Sequence, residues 1–290
     1  MTRCIHSWTD DTATIEVAGI ERSLRVLHVT DSHISVPHEA VDQPYVHYGA
    51  RIDGLFADFP TLQTFAAQME RARAEAPDLI ALTGDHVNYP SPTAVAAVER
   101  LVVATGCDSI FTAGNHDWRY AGLPGSDGDL RTEWRERSLL PLYRGRPPHA
   151  GSLDLGGVRF VAIDNSTRQV DAEQLAFFDR ALAGGLPVVL LTHMPFRLPG
   201  DTAAHRAPPP SSGQPIPLCG DPESESATDD FIARLLAAPN LVAVLCGHIH
   251  VAGAYRIHEG AVQYVTGPGF LNQSRMVTIC PRQVAEATRR

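Results

Sequence analysis

The chain has 290 residues, of which 44% are hydrophobic and 20% charged, with a formal net charge of -9. This length is enough for one large domain with a substantial buried core, and we expect a single domain over residues 1–290. The acidic charge leaves no basic face for a nucleic-acid polymer, and all 24 basic residues are arginine, which excludes mechanisms that need a lysine amine.

Cysteine usage and the N-terminal sequence bear on the compartment. The five cysteines are odd in number, lie far apart and form no Cys-x-x-Cys pair, so neither a disulfide framework nor a thiolate metal site is expected. Residues 1–10 lack the apolar region of a signal peptide, and no window reaches the roughly 18 apolar residues of a membrane span. We expect a soluble, cytoplasmic protein with no membrane partner, and no pattern indicates its oligomeric state.

Short apolar, β-branched segments predict strands along the chain. Six of them, typical of strands buried on both faces, are residues 24–30, 78–83, 109–112, 158–163, 187–192 and 241–246. Three more, joined by glycine and polar turns late in the chain, are residues 254–257, 261–266 and 276–279. The late group predicts an antiparallel or mixed sheet region.

Helical periodicity occupies several of the intervals between these strands. Apolar residues follow helical spacing within residues 62–72, 95–102, 175–182 and 232–236. Ser91 and Pro92 supply an N-cap and a first-turn proline for the second helix, and Gly106 predicts its end. The alternation predicts an α/β fold. Residues 198–225 are rich in Pro, Ser and Gly without any period, which predicts a lid-like loop.

Five short motifs each follow a predicted strand. They are Asp31-Ser32-His33, Gly84-Asp85, Gly114-Asn115-His116-Asp117, Thr192-His193 and Gly247-His248-Ile249-His250. Open α/β sheets bind ligands at the carboxyl ends of their strands, so we expect the motifs to converge on one cleft. In extended backbone, residues i and i+2 point the same way, so the first and last motifs would each project two ligands. Carboxylates, imidazoles and one amide suit ions such as Mn, Fe, Co, Ni or Zn.

This ordered series resembles that of the calcineurin-like metallophosphoesterase superfamily and runs from Asp31 to His250. The resemblance implies two mixed β-sheets packed as a sandwich, with helices on both outer faces. It also implies a dinuclear metal centre, with Mn, Fe or Zn as candidate ions. One ion would be held by Asp31, His33, Asp85 and His250. The other would be held by Asp85, Asn115, His193 and His248, with Asp85 bridging.

The implied activity is metal-dependent hydrolysis of phosphate esters. Two ions roughly 3.5 to 4 Å apart can share a water and lower its pKa, so the implied nucleophile is a metal-bridging hydroxide. His116, the family's additional histidine, would stabilise the phosphoryl oxygens or protonate the leaving group. Asp117 would orient His116 by a hydrogen bond. His116 and Asp117 are therefore the candidate catalytic residues.

Departures from the superfamily pattern narrow the substrate class. Asn88 stands where many members carry Asp, a change expected to alter the charge around the ligands without removing one. Asn88 also replaces the tyrosine ligand of purple acid phosphatases, and Tyr89-Pro90 replaces the Asp-Arg-Gly continuation of protein serine/threonine phosphatases, so both subgroups are disfavoured. The predicted lid and the acidic charge favour small phosphodiesters, and a phosphomonoesterase stays as the alternative.

Two other classes of function are open to the same fold. A noncatalytic metal-binding scaffold would be expected to have lost ligands, and a nuclease acting on DNA ends would need a basic groove. Three further residues near the motifs allow two interpretations each. His86 could contact substrate or support the site, and Trp118 and Tyr120 could stack on a base or shield the metals from water.

Overall fold

Two six-stranded mixed sheets form the centre of the structure, a computed structural model that describes residues 4–37, 39, 53–88, 90–119, 125–199, 216–221 and 225–282. The strands are β1 (Ile5–Trp8), β2 (Thr12–Val17), β3 (Leu24–Val29), β4 (Leu79–Leu82), β5 (Ser109–Phe111), β6 (Ala150–Leu155), β7 (Val158–Ile163), β8 (Val188–Leu191), β9 (Leu241–Cys246), β10 (Gly253–His258), β11 (Ala261–Val265) and β12 (Arg275–Pro281). The sheets have the orders β1-β2-β12-β3-β4-β5 and β10-β11-β9-β8-β7-β6.

The two sheets pack face to face and each is covered by helices on its outer face. In β3, Val26 belongs to the core shared by the two sheets, whereas its neighbour Leu27 belongs to the core under the helices of the first sheet. Val161 of β7 lies in the corresponding core under the helices of the second sheet. Because alternate residues of a strand face opposite layers, strands between two layers carry continuous apolar runs. The predicted α/β sandwich is confirmed, and the shared core supports our proposal of a single domain.

Helices follow the predicted pattern closely. They are α1 (Thr61–Glu75), α2 (Pro92–Ala104), α3 (Asp127–Trp134), α4 (Leu140–Tyr143), α5 (Ala172–Ala183) and α6 (Ser226–Ala237), with a π-helical segment at Arg135–Leu139 and a 3-10 helix at Gly269–Leu271. The Ser91 side chain accepts a hydrogen bond from the Ala94 amide at 3.1 Å, as expected of an N-cap. Helix α2 ends at Ala104, and Gly106 follows with φ 74°.

Some elements of the structure were not predicted by the apolar runs and helical periods of the sequence. Strand β1 is largely exposed, and β2 alternates buried and exposed residues, so neither forms a continuous apolar run. Helix α3 and the π-helical segment place Arg131 and Arg135 beside the buried Asp164 carboxylate, at 3.8 and 3.5 Å. Of the predicted lid-like loop at 198–225, residues 200–215 and 222–224 lie outside the described residues.

Parallel pairing gathers the motifs at one edge of the sandwich. Strands β3, β4 and β5 are parallel neighbours in the first sheet, and β7, β8 and β9 are parallel neighbours in the second. Their carboxyl ends therefore lie together. In the part of the chain that the structure describes, no helix is both long and apolar enough to cross a membrane.

Candidate metal centre

The motif loops continue the backbone pairing beyond the ends of their strands. The Asp31 amide donates to the Gly84 carbonyl at 3.0 Å, and the His33 amide donates to the Asp85 carbonyl at 2.9 Å. In the second sheet, the Gly247 amide donates to the His193 carbonyl at 2.9 Å. These bonds join backbone atoms only, so the loops are held against each other without any contribution from side chains.

Five of the seven expected ligands have left-handed backbone. The φ angles are 52° for Asp31, 46° for His33, 52° for Asp85, 72° for His248 and 54° for His250. The expectation that extended backbone aims Asp31 with His33, and His248 with His250, is therefore wrong, because the chain turns sharply at each ligand. Such conformations cost free energy in non-glycine residues and are typical of functional sites.

Two glycines allow the close approach of the loops. A Cβ atom on Gly247 would collide with the side chains of Thr30 and Asp31. A Cβ atom on Gly84 would collide with the Gly114 backbone and lie 2.8 Å from Nδ1 of His193. Glycine is needed at both positions because any side chain would push the ligand loops apart.

The side chains form two neighbouring groups, and Asp85 of one group lies close to His33 of the other. Asp31, His33 and His250 make one group and Asp85, His193 and His248 make the other, with the ligand atoms of each group within 4.8 Å of one another. Oδ2 of Asp85 lies 3.1 Å from Nε2 of His193 and 3.9 Å from Nε2 of His33. This oxygen therefore faces both groups, as a bridging ligand would.

In each of three histidines, a hydrogen bond occupies one ring nitrogen and leaves the other to bind a metal ion. Nδ1 of His193 donates to the Thr83 carbonyl at 2.8 Å, which leaves Nε2 for a ligand once its proton is lost. Nδ1 of His33 faces the amide oxygen of Asn88 at 2.8 Å, which leaves Nε2. Nε2 of His248 donates to the Pro217 carbonyl at 3.0 Å, which leaves Nδ1. Partners of this kind set the tautomer of metal-binding histidines.

The donor set fits divalent metal ions. Among the described residues, Oδ1 of Asn115 is buried and has no hydrogen-bond partner. Oδ1 of Asp31 lies 3.3 Å from Nε2 of His250. Nε2 of His33 and Nε2 of His250 lie 3.2 Å apart. Buried lone pairs without donors are costly, and a cation would satisfy several of them at once. Oxygen and imidazole donors without sulfur agree with the ions expected from the sequence.

Charge in the site is shared between carboxylates and imidazoles. Burial alone would lower the pKa of His193, but the adjacent Asp85 carboxylate raises it to about 9. Burial alone would also lower the pKa of His250, but Asp31 raises it. Burial lowers the pKa of His116, only partly opposed by Asp85.

Asp117 has a different role from the expected one. One of its oxygens accepts hydrogen bonds from the Gly114 and Asp85 amides at 2.8 and 2.9 Å. The other accepts from the His86 and Val87 amides at 2.9 and 3.0 Å. The predicted hydrogen bond to His116 is wrong, because these four donors occupy the carboxylate. Burial and then Asp85 raise the pKa of Asp117 to about 7, whereas the four amides favour its charged form.

His116 lies beside His33, with the two rings edge-on and their centroids 4.9 Å apart. Its Nδ1 is buried and has no partner among the described residues. Its backbone amide donates to Oδ1 of Asp85 at 2.7 Å, so the third motif is tied directly to this carboxylate.

Two residues next to the expected ligands in sequence, His86 and Trp118, are fully buried. His86 is fully buried, with Nδ1 3.0 Å from the Ser32 hydroxyl, so it supports the first motif. Trp118 is fully buried and donates from Nε1 to the Ser166 hydroxyl at 2.8 Å, so it cannot stack on a bound base. Tyr120 lies outside the described residues.

Sequence reasoning missed Asn165, which positions His193. Its Oδ1 accepts hydrogen bonds from the His193 and Met194 amides at 3.2 and 3.0 Å, and its Nδ2 donates to the Met194 carbonyl at 2.8 Å. The available signal was a sixth polar segment, Asp164-Asn165-Ser166, directly after strand β7.

Comparison with known proteins identifies the family. The sequence matches the profile of the calcineurin-like phosphoesterases over residues 24–252. The chain belongs to this family. This confirms the resemblance drawn from the motifs, and family membership implies a dinuclear centre of divalent ions.

Individual proteins of known sequence or structure are similar to this chain. A Synechococcus sp. protein described as a probable cyclic nucleotide phosphodiesterase is 26% identical over 195 residues, which are 64% of this chain and 64% of that protein. The match thus spans just under two thirds of that curated relative. A dimetal phosphatase from Danio rerio has a TM-score of 0.57 at 11% identity, covering 86% of this chain and 89% of that one. Purple acid phosphatase PPD1 from yellow lupin has a TM-score of 0.52 at 14% identity, covering 95% and 49%. Both structures show likeness of fold alone.

Asp117→Asn should destabilise the metal-free protein by about 3 kcal/mol, because in either orientation the new NH₂ group faces two backbone amides. Chemical denaturation of the metal-free protein measures this change. Asp154→Asn is the matched control, since Asp154 is half exposed and paired with Arg159, and its loss should cost under about 1 kcal/mol. Unchanged stability with lost turnover would restore a catalytic role for Asp117.

Metal uptake at pH 7 should release protons. The raised pKa of His193 means that its imidazole is protonated without metal, and a ligand must be neutral, so affinity should increase as the pH rises toward about 9. Calorimetry of Mn²⁺ binding in two buffers of different ionisation enthalpy measures the release. His193→Gln should release fewer protons, and equal release by both proteins would contradict the assignment.

Proposed function

We propose that this protein hydrolyses small phosphodiesters with two metal ions held by the two ligand groups and bridged by Asp85. The observation that carries the proposal is that Oδ2 of Asp85 lies within 3.9 Å of Nε2 of His33 and 3.1 Å of Nε2 of His193. Asp31, His33 and His250 complete one site, and Asn115, His193 and His248 complete the other. Mn, Fe or Zn suit these donors.

When bound, two ions in such a site lower the pKa of a shared water and neutralise charge on a phosphoryl group. The chain supplies the remaining chemistry. Asp85 and Asp31 hold negative charge where cations are needed, and the bonds of His33, His193 and His248 to neighbouring acceptors keep their free nitrogens facing inward. His116 stands beside His33 and donates a hydrogen bond to a phosphoryl oxygen, which stabilises the charge that develops there.

The proposed substrate class rests on the net charge of the chain and on its similarity to the Synechococcus sp. protein. A net charge of -9 disfavours polyanionic substrates, so nucleic-acid polymers are not expected. The Synechococcus relative is described as a probable cyclic nucleotide phosphodiesterase, which makes cyclic nucleotides the first diesters to test here. A cytoplasmic location is part of the same proposal and rests on cysteine usage alone.

His116→Ala should lower the turnover number by roughly 100-fold or more while both metals are retained, because His116 contacts substrate and not the ions. Asp31→Asn and Asn115→Ala should lower both turnover and metal content. Steady-state kinetics combined with elemental analysis of the metals separates the two effects. Unchanged turnover of the His116 variant would remove it from the mechanism.

Metal-stripped protein reloaded with Mn²⁺ should hydrolyse bis(p-nitrophenyl) phosphate faster than p-nitrophenyl phosphate. The Asn115→Ala variant is the control for contaminating activity. A preference for the monoester would make the protein a phosphomonoesterase. Metal binding without hydrolysis of either ester would favour the noncatalytic scaffold.

A further inference from the structure

Aromatic rings lead away from the metal centre beside His250. Phe270 lies edge-on to His250 with ring centroids 5.2 Å apart, and Phe59 lies edge-on to Phe270 at 5.0 Å. Phe56 stacks on His33 at 4.0 Å and lies edge-on to Phe270 at 5.2 Å. We call Phe56, Phe59 and Phe270 the aromatic wall.

Hydrogen bonds hold the aromatic wall on the loop of the first motif. The Phe270 amide donates to the carbonyl of Asp31 at 3.0 Å, so this ring is fixed relative to a metal ligand. The Ser35 hydroxyl donates to Asp53 at 2.8 Å and so anchors the segment that carries Phe56. A surface already in place loses little entropy when it binds a ligand.

Shielding of the expected metal ligands from water explains the position of Phe56 but not the position of Phe59. Phe56 covers one face of His33 and is 9% exposed. Phe59 is 36% exposed, and among the described residues its ring contact is with Phe270 and not with an imidazole of the site. An exposed ring that shields no ligand needs another explanation.

Exposed apolar residues occur next to the aromatic wall and His250 in the sequence. Eight large hydrophobic residues are exposed in the described part of the chain, and four of them belong to the wall or adjoin it or His250 in sequence. These four are Leu55, Phe59, Val251 and Leu271. An apolar surface that continues from a catalytic centre is typical of a binding subsite.

We propose that the aromatic wall binds a flat aromatic substituent of the ester while the phosphate lies at the two metal sites. This inference rests on the proposed function and names the group that the substrate carries. Aryl groups and nucleobases both present a π face, and stacking on phenylalanine depends little on the identity of the ring. Phe270 adjoins His250 and suits a ring attached directly to phosphorus, whereas Phe59 lies one ring further out and suits a base beyond a sugar.

Two pairs of ligands test the subsite on the Mn²⁺-loaded protein. Phenylphosphonate and methylphosphonate differ only in the ring, and their Kd values are compared by calorimetry. AMP and ribose 5-phosphate differ only in the base, and their inhibition constants are compared against bis(p-nitrophenyl) phosphate. We expect the aromatic member of a pair to bind about fivefold or more tightly.

For each pair we define the ratio as the affinity of the aromatic ligand divided by the affinity of its non-aromatic partner. Variants of the aromatic wall should change these ratios. Phe59→Leu should lower the ratio for the nucleotide pair, Phe270→Leu should lower the ratio for the phosphonate pair, and Phe59→Trp should preserve both. Elemental analysis checks that each variant retains its metals. Val103→Ala is the matched control, because Val103 is an exposed apolar residue on α2, and it should leave both ratios unchanged.

The outcomes separate this inference from the proposed function. A response of the nucleotide pair alone identifies a nucleobase, and a response of the phosphonate pair alone identifies an aryl group. If both affinity ratios are near one in the unmodified protein, the subsite is overturned even if diester hydrolysis persists. The same conclusion follows if neither leucine variant changes the ratios. Absence of both hydrolysis and phosphonate binding would overturn the subsite and the proposed function together.

Discussion

The site depends on one carboxylate that is not among the expected metal ligands. Asp117 accepts four backbone amides, from Gly114 and from the run Asp85 to Val87, and so joins the second and third motifs. Asp85 has a left-handed backbone at φ 52°, which is unfavourable for a residue with a side chain. Hydrogen bonds to an ionised acceptor are among the strongest in proteins and offset that cost. They hold Asp85 between His33 and His193, where it can serve both ligand groups.

The same region concentrates negative charge away from water. Asp31 and Asp85 are buried, and burial of a carboxylate is costly unless a positive charge lies near it. Without metal, Asp85 raises the pKa of His193 to about 9, so this imidazole retains a proton beside the carboxylate, and Asp31 raises the pKa of His250. Bound metal ions would supply positive charge in place of such a proton, so that metal affinity and stability would be linked.

The two ligand groups have different surroundings. The group of Asp31, His33 and His250 lies against the aromatic wall, and a stacked ring covers His33. The group that contains His193 and His248 is held by backbone carbonyls, which accept their hydrogen bonds at 2.8 and 3.0 Å. An apolar neighbour strengthens electrostatic interactions, whereas carbonyl acceptors increase ligand basicity. The two ions would therefore have different surroundings, in addition to the Asp31 carboxylate of one site standing where the other has the Asn115 amide.

The sequence by itself determined the class of fold and the positions of the main strands along the chain, and it predicted seven metal ligands, six of which the structure brings into two groups. Apolar runs such as residues 158–163 mark strands buried on both faces, and polar motifs directly after them mark the carboxyl edge of the sheets. Only the tertiary structure decided how the ligands are aimed, because left-handed φ angles and the bonds of Asp117 arise from contacts between loops distant in the chain. The same holds for Asn165 and for the aromatic wall. Phe59 and Phe270 are separated by about two hundred residues, and their contact follows from packing, which local sequence patterns do not encode.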